Sequence, residues 1–185
     1  MRRFNEDELS NILAKHTQWL RGEDEGERAN LKGADLSDLQ LPAVTLSRAN
    51  LEGADLTGTN LTDANLVGAN LKNAILQGAD LTGANLVSAN LVGADLSGAI
   101  LIYANLLYAD LSAANLTGAH LTGAHLADTN LTHADFSNAY LLFTNVMLAD
   151  LRFANFANTY LTGANFKGAK LEGANLWSVK NLPMV

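Results

Sequence analysis

The chain has 185 residues, 48% of them hydrophobic, and a formal net charge of −7. That length suits one domain with a sizeable core, and the negative charge excludes nonspecific attraction to nucleic acid or an anionic membrane. There is no cysteine, which excludes a disulfide framework and any Cys-based metal site and is compatible with a reducing compartment.

The first residues, Met1-Arg2-Arg3-Phe4-Asn5-Glu6-Asp7-Glu8, carry basic groups but no apolar run behind them, so no signal peptide is expected. No stretch approaches the ~20 apolar residues of a membrane span. A cytoplasmic protein is the expectation. Residues 5–21 then read as an amphipathic helix. Asn5 suits the N-cap, Glu8 stands where a capping box needs it, and Phe4 and Leu9 are spaced as a hydrophobic staple. Leu9, Ile12, Leu13, His16 and Trp19 share one helical face, and Gly22 is the expected stop. This helix is expected to lie across the end of the core that follows it. Gly22-Glu23-Asp24-Glu25-Gly26-Glu27 is read as an acidic, solvated link.

From Ala29 to Ser178 the chain is thirty uninterrupted five-residue blocks of the form Ala-(Asn/Asp)-Leu-x-x. A period of five matches neither a helix nor a flat strand. Within an extended piece, positions two apart share a face, so Ala49 and Leu51 point inward and Asn50 outward. The inward positions are Leu in 26 blocks and Ala in 24, a large and a small group suited to a narrow, uniform interior. Thirteen blocks end in Gly, and Asp38, Asp63, Asn73, Asp128, Asn138 and Asn158 take the same place. These residues accept the positive φ that a type II corner needs. Four sides close one coil, so residues 20 apart are expected to stack. Thirty blocks make about seven and a half coils, a column ~35 Å long at ordinary strand spacing.

The run resembles the pentapeptide repeat family, in wording closest to its plain bacterial and cyanobacterial type. The resemblance implies an all-β solenoid, a right-handed, four-sided parallel β-helix, here with an N-terminal helical cap. The division expected is 1–28 for the cap and link, 29–178 for the repeat and 179–185 for a short tail. Trp177, Val179, Leu182, Pro183, Met184 and Val185 make the C-terminal end apolar. They either fold over the last coil or meet a second copy, as in family members that pair end to end.

The outward positions depart from the repeat in one region. With residues 20 apart stacked, Val67, Val87, Leu107, Ala127 and Met147 form one column, with Tyr108 and Leu148 at its corner. The preceding side carries Ile100, Ile102, Tyr103, Tyr140, Leu142, Phe143 and Tyr160, and Phe153 follows one block after Leu148. Together they are read as an apolar and aromatic strip for a protein partner or a second copy, since large apolar patches are uncommon on monomers. The alternative is an outer β-surface that merely tolerates β-formers. Tyr103, Tyr108, Phe143, Leu148 and Phe153 are bulky corner residues that resist positive φ, so another turn type is expected there.

Asp35, Asp55, Asp95 and Asp135 share an outward column interrupted by Ile75 and Asn115. In the plain reading these carboxylates bond to nearby backbone. The sharper reading follows from the resemblance, since some family members mimic DNA and bind gyrase, protecting it from quinolones. Residues 29–180 carry 12 acidic and 7 basic groups, only −5 net, and no loops interrupt the coils. His120, His125 and His133 are close in sequence, but successive sides turn them apart, so no metal site is expected. No nucleophile, base and orienting acid stand apart from the repeat, and a core of Leu and Ala leaves no ligand cavity. The expected protein is therefore non-catalytic and cofactor-free, with a rigid surface for an unidentified protein or for itself, and without direct contact to nucleic acid or membrane.

Overall fold

Parallel bridges join residues 20 positions apart along the whole repeat, from Asn30↔Asn50 to Tyr160↔Lys180. This ladder is seen in a computed structural model that describes residues 2–181. The expectations for Leu182, Pro183, Met184 and Val185 lie outside the described residues. Four five-residue blocks therefore make one step of the ladder, and each side contributes a single bridged residue rather than a long strand.

One block shows why the pattern repeats so strictly, because each of its five backbone N–H groups has an acceptor. Ala54 donates to Leu51 O (3.0 Å) and closes a corner, Asp55 to Ala34 O of the coil before (2.8 Å), and Leu56 to Ile75 O of the coil after (2.6 Å). Gly58 donates to Gln77 O (2.9 Å). The remaining donor, Thr57 N–H, goes to the Asp55 side chain at 3.0 Å. The Asn or Asp of each block thus meets the one N–H that the ladder leaves over. Pro42 stands two residues after Gln40, at the place of the leftover donor, in a block without Asn or Asp, and proline has no N–H to satisfy.

The inward Ala and Leu positions are buried from Ala49 to Leu161, and Phe136 and Phe156 stack at 5.1 Å where they replace Leu. Thr59, Thr144 and Thr159 replace the inward Ala, and each hydroxyl donates to a carbonyl of the preceding coil at 2.7–2.8 Å. Buried hydroxyls paired this way avoid the cost of desolvation.

All thirty corners, from Gly33 to Ser178, have φ between 54° and 73°. The bulky corners are no exception: Tyr103 58°, Tyr108 61°, Phe143 55°, Leu148 59° and Phe153 61°. The expectation of a different turn for these residues is thereby corrected. Their N–H groups serve the ladder, as Tyr103 donates to Thr122 O and Phe143 to Thr162 O, while Ala104 N–H closes the turn on Leu101 O. A left-handed side chain costs about 1–2 kcal/mol, and a different turn would forfeit bonds on both sides.

At the N-terminus, β1 (Arg2–Arg3) and α1 (Glu6–Arg21) form the cap, and β2 (Ala34–Asp35) is the edge of the repeat that β1 meets. Asn5 and Glu8 make the full capping box, and Gly22 ends the helix in a left-handed conformation. Leu9 and His16 are buried against the first coil, with Phe4, Ile12 and Leu13 partly so. Strand β1 pairs in parallel with β2, Arg2 with Ala34 and Arg3 with Asp35, covering the exposed edge of the ladder. The link is more than a solvated turn. Its acidic side chains are exposed, but Glu27 N–H donates to Lys15 O, and a methyl on Gly26 would lie 2.2 Å from Trp19 N. Only glycine admits so close an approach. The helix does not seal the first coil, since a cleft of about 500 Å³ remains between it and Leu39 and Leu41. At the other end Trp177 is 71% exposed, and Leu171, Ala174 and Val179 are only partly buried among the described residues.

Candidate interaction surface

The acidic column is occupied with local bonding. Asp35 accepts from both the N–H and the hydroxyl of Ser37, and Asp55 likewise from Thr57. Asp95 accepts from Ser97 N–H, Gln77 and Asn115, and Asp135 from Ser137 N–H and Asn155. The Ser37 bonds, with Arg3 nearby, hold the Asp35 carboxyl below its ordinary range. For Asp95, burial opposes the charged form, and the bonds from Gln77, Ser97 and Asn115 together outweigh it and lower the pKa. In the ladder, Ile75 and Asn115 break the column between its carboxylates.

The strip residues divide among neighbouring columns. Ile100, His120, Tyr140 and Tyr160 are bridged in sequence. His120 stacks on Tyr140 at 4.7 Å and Tyr140 on Tyr160 at 4.8 Å, and Lys180 Nζ lies over the Tyr160 ring. From Ile100 onward this column abandons the Asn/Asp rule, so the N–H groups of Ile102, Thr122, Leu142 and Thr162 have no protein acceptor among the described residues. Tyr103 and Phe143 stand at the following corner, 67% and 66% exposed, with Gly123 between them. On the next side, Leu107 and Met147 occupy ordinary blocks, their N–H groups capped by Asn105 and Asn145. Tyr108 and Leu148 stand exposed at its corner. Two ridges result, Tyr103–Leu107–Tyr108 and Phe143–Met147–Leu148, two coils or about 10 Å apart at strand spacing. Between them lie Gly123, Ala127 and Asp128. Phe153 does not join them: it occupies the next corner column, stacked on His133 at 5.0 Å.

Tyr103, Phe143, Leu148 and Phe153 share one habit, a lean onto the corner 20 residues later. A methyl on Gly123 would lie 2.5 Å from Tyr103 Cε1, on Gly163 2.5 Å from Phe143 Cδ1, and on Gly168 2.7 Å from Leu148 Cδ2. Sequence reasoning found the bulky residues but not their glycine partners. It also passed over Asp128. In the six blocks 99–108, 119–128 and 139–148, Asp128 is the sole formally charged side chain. It is exposed. Its carboxylate makes no hydrogen bond or ion pair among the described residues. A groove of about 340 Å³ lined by Asp128, Asn130, Leu148, Asp150 and Arg152 opens beside it. Arg152 grips Asp150 with two bonds, 2.8 and 2.6 Å, so that carboxylate is already matched.

These features define a parallel β-solenoid whose distinctive chemistry is all on its outer surface. The sequence profile described as pentapeptide repeats matches in eight copies, over 27–63, 43–78, 64–101, 79–118, 109–141 and 149–177, and the chain belongs to that family. Among solved structures, HetL of the cyanobacterium Nostoc sp. strain PCC 7120, a pentapeptide repeat protein involved in heterocyst differentiation regulation, is 38% identical. The match covers 83% of this chain and 73% of HetL, with a TM-score of 0.50. The pentapeptide repeat protein alr5209 of Nostoc PCC 7120 is 37% identical over 56% of this chain and 77% of its own, with a TM-score of 0.34. QnrB1, a plasmid-mediated fluoroquinolone resistance protein, is 19% identical over 79% of this chain and 86% of its own, with a TM-score of 0.49. No curated protein matches the sequence. No helix among the described residues is long and apolar enough to cross a membrane.

Proposed function

We propose that the chain is a non-catalytic cytoplasmic scaffold that binds a protein through the strip centred on Leu107, Tyr108, Tyr140, Phe143 and Met147. In this reading residues 1–28 cap a right-handed, four-sided column of about seven and a half coils at 29–178, and 179–185 form its tail. The observation that carries it is the set of aromatic and aliphatic corners held at positive φ yet more than half exposed. Such residues leave apolar surface in water at corners where most blocks carry Gly, Asn or Asp, a cost that a bound partner offsets. A hydrogen-bonded column binds with little ordering cost on its own side. HetL's described part in regulation is the kind of role that a binding surface without catalysis performs.

The test is affinity capture from native lysate with the wild type and Leu107→Asp. Leu107 is outward and its N–H is met by Asn105, so the variant should keep the fold and lose the captured protein. Equal capture by both forms would place the site elsewhere. Capture of a topoisomerase by both would favour the acidic column instead. Self-capture lost in the variant would make the strip a contact between copies.

A further inference from the structure

We infer that the partner segment docking on this strip is an apolar stretch carrying one Lys or Arg, and that Asp128 is its charge anchor. The inference rests on the strip reading above. Its basis is the lone charge: across six blocks that carry Ile100, Tyr103, Leu107, Tyr108, Phe143 and Met147 outward, with His120 and His125 among them, Asp128 is the sole Asp, Glu, Lys or Arg. It stands between Tyr108 and Leu148 in the corner column, at the mouth of the groove beside Leu148. The other carboxylate there, Asp150, already holds Arg152. A partner covering this surface takes Asp128 out of water, and an unmatched carboxylate under a protein contact is costly. A cation placed on it removes that cost, with the Tyr108 ring beside it as a second attraction.

Charge also decides between occupants. In a two-fold contact centred on the strip, a second copy would bring its own Asp128 and no Lys or Arg from these blocks. The coils 99–158 hold Asp110, Asp128, Asp135 and Asp150 against Arg152 alone, so two copies repel where a basic segment is drawn in. The two ridges about 10 Å apart are too close for a helix and admit one extended segment, its apolar side chains against Leu107 and Met147 and its cation at Asp128.

A phage-displayed library of random dodecapeptides, selected on the wild type, tests this. Enriched peptides should place Lys or Arg within an apolar run. Asp128→Asn keeps a residue that tolerates the left-handed corner, and it should bind the selected peptide about tenfold more weakly, with the difference shrinking at high salt. Asp128→Lys should select peptides with Asp or Glu in place of the cation. Peptides lost with Leu107→Asp but bound equally by Asp128→Asn would overturn the charge anchor and leave the strip standing. Peptides indifferent to Leu107→Asp, or no enrichment at all, would overturn both. A wild-type dimer in sedimentation equilibrium that Leu107→Asp dissolves would replace the basic segment with a second copy.

Discussion

Tyr103 and Gly123 act as one unit spread over two coils. The corner at 123 has φ 68°, and the Tyr103 ring lies where a side chain at 123 would begin. Gly118 has nearly the same φ, 67°, with nothing within 4 Å. Gly118→Ala should therefore cost about 1 kcal/mol through φ alone. Gly123→Ala should cost clearly more, because its methyl must also displace the ring, 2.5 Å away. In a Tyr103→Ala background the two glycine substitutions should cost the same, measured by urea unfolding as a double-mutant cycle. An unchanged Gly123→Ala penalty without the ring would show that the contact has no energetic weight. The positions of the glycines were legible in the sequence. Their pairing was not, since it depends on the direction in which each corner side chain leans.

The cap makes a comparable argument for a single element. On α1, the buried His16 accepts the Ala29 N–H on Nδ1 at 3.1 Å, so its proton is on Nε2, which makes no well-formed hydrogen bond among the described residues and faces only the Ser47 carbonyl. Protonation would put a second donor against Ala29. Burial pushes the His16 pKa below its ordinary 6.5, the Arg28 charge adds to this, and the Ser47 carbonyl opposes it. A histidine with a depressed pKa contributes its full stability above 6.5. That contribution shrinks as pH falls below this value, because the unfolded chain then binds a proton that the folded one refuses. The protection of α1 amides against hydrogen exchange, taken relative to their intrinsic rates at each pH, should fall between pH 7 and pH 5, ahead of that of the central coils. His16→Leu should loosen the cap at pH 7 by about 1–3 kcal/mol, since Ala29 loses its acceptor, and should flatten this pH response. The same loss of protection in His16→Leu would assign the effect to another group. Helix α1 was readable from Asn5, Glu8 and Gly22, local signals a few residues apart. Strand β1 was not, because Arg2 and Arg3 acquire strand character only from Ala34 and Asp35, across the whole helix.

At the scale of the whole chain, the inward positions follow from a period of five and the bonding of one block, and both are written in the sequence. The surface is less legible: Asp128 becomes conspicuous only once six blocks distant in sequence are seen to adjoin. If each coil is a repeating unit that meets only its neighbours, stability is close to a sum over coils. Removing residues 49–68 takes out one full step of the ladder and joins Arg48 to Ala69 in register. The corner pairs remain compatible, since Asp38 then leans over Gly78, which has open space around it. The shortened protein should unfold cooperatively with an enthalpy lower by about 14 kcal/mol, the share of 20 residues, and should bind the wild-type strip's partner unchanged. Deleting Thr57 alone removes an outward residue and no core side chain, yet it leaves a side too short to turn. Every inward residue of the coil then meets the wrong neighbour. That one-residue deletion should broaden the calorimetric transition and lose more enthalpy than the loss of 20. A Thr57 deletion that melts closer to the wild type than the coil deletion does would show that the ladder tolerates slippage, and that the coil is not the unit of this fold.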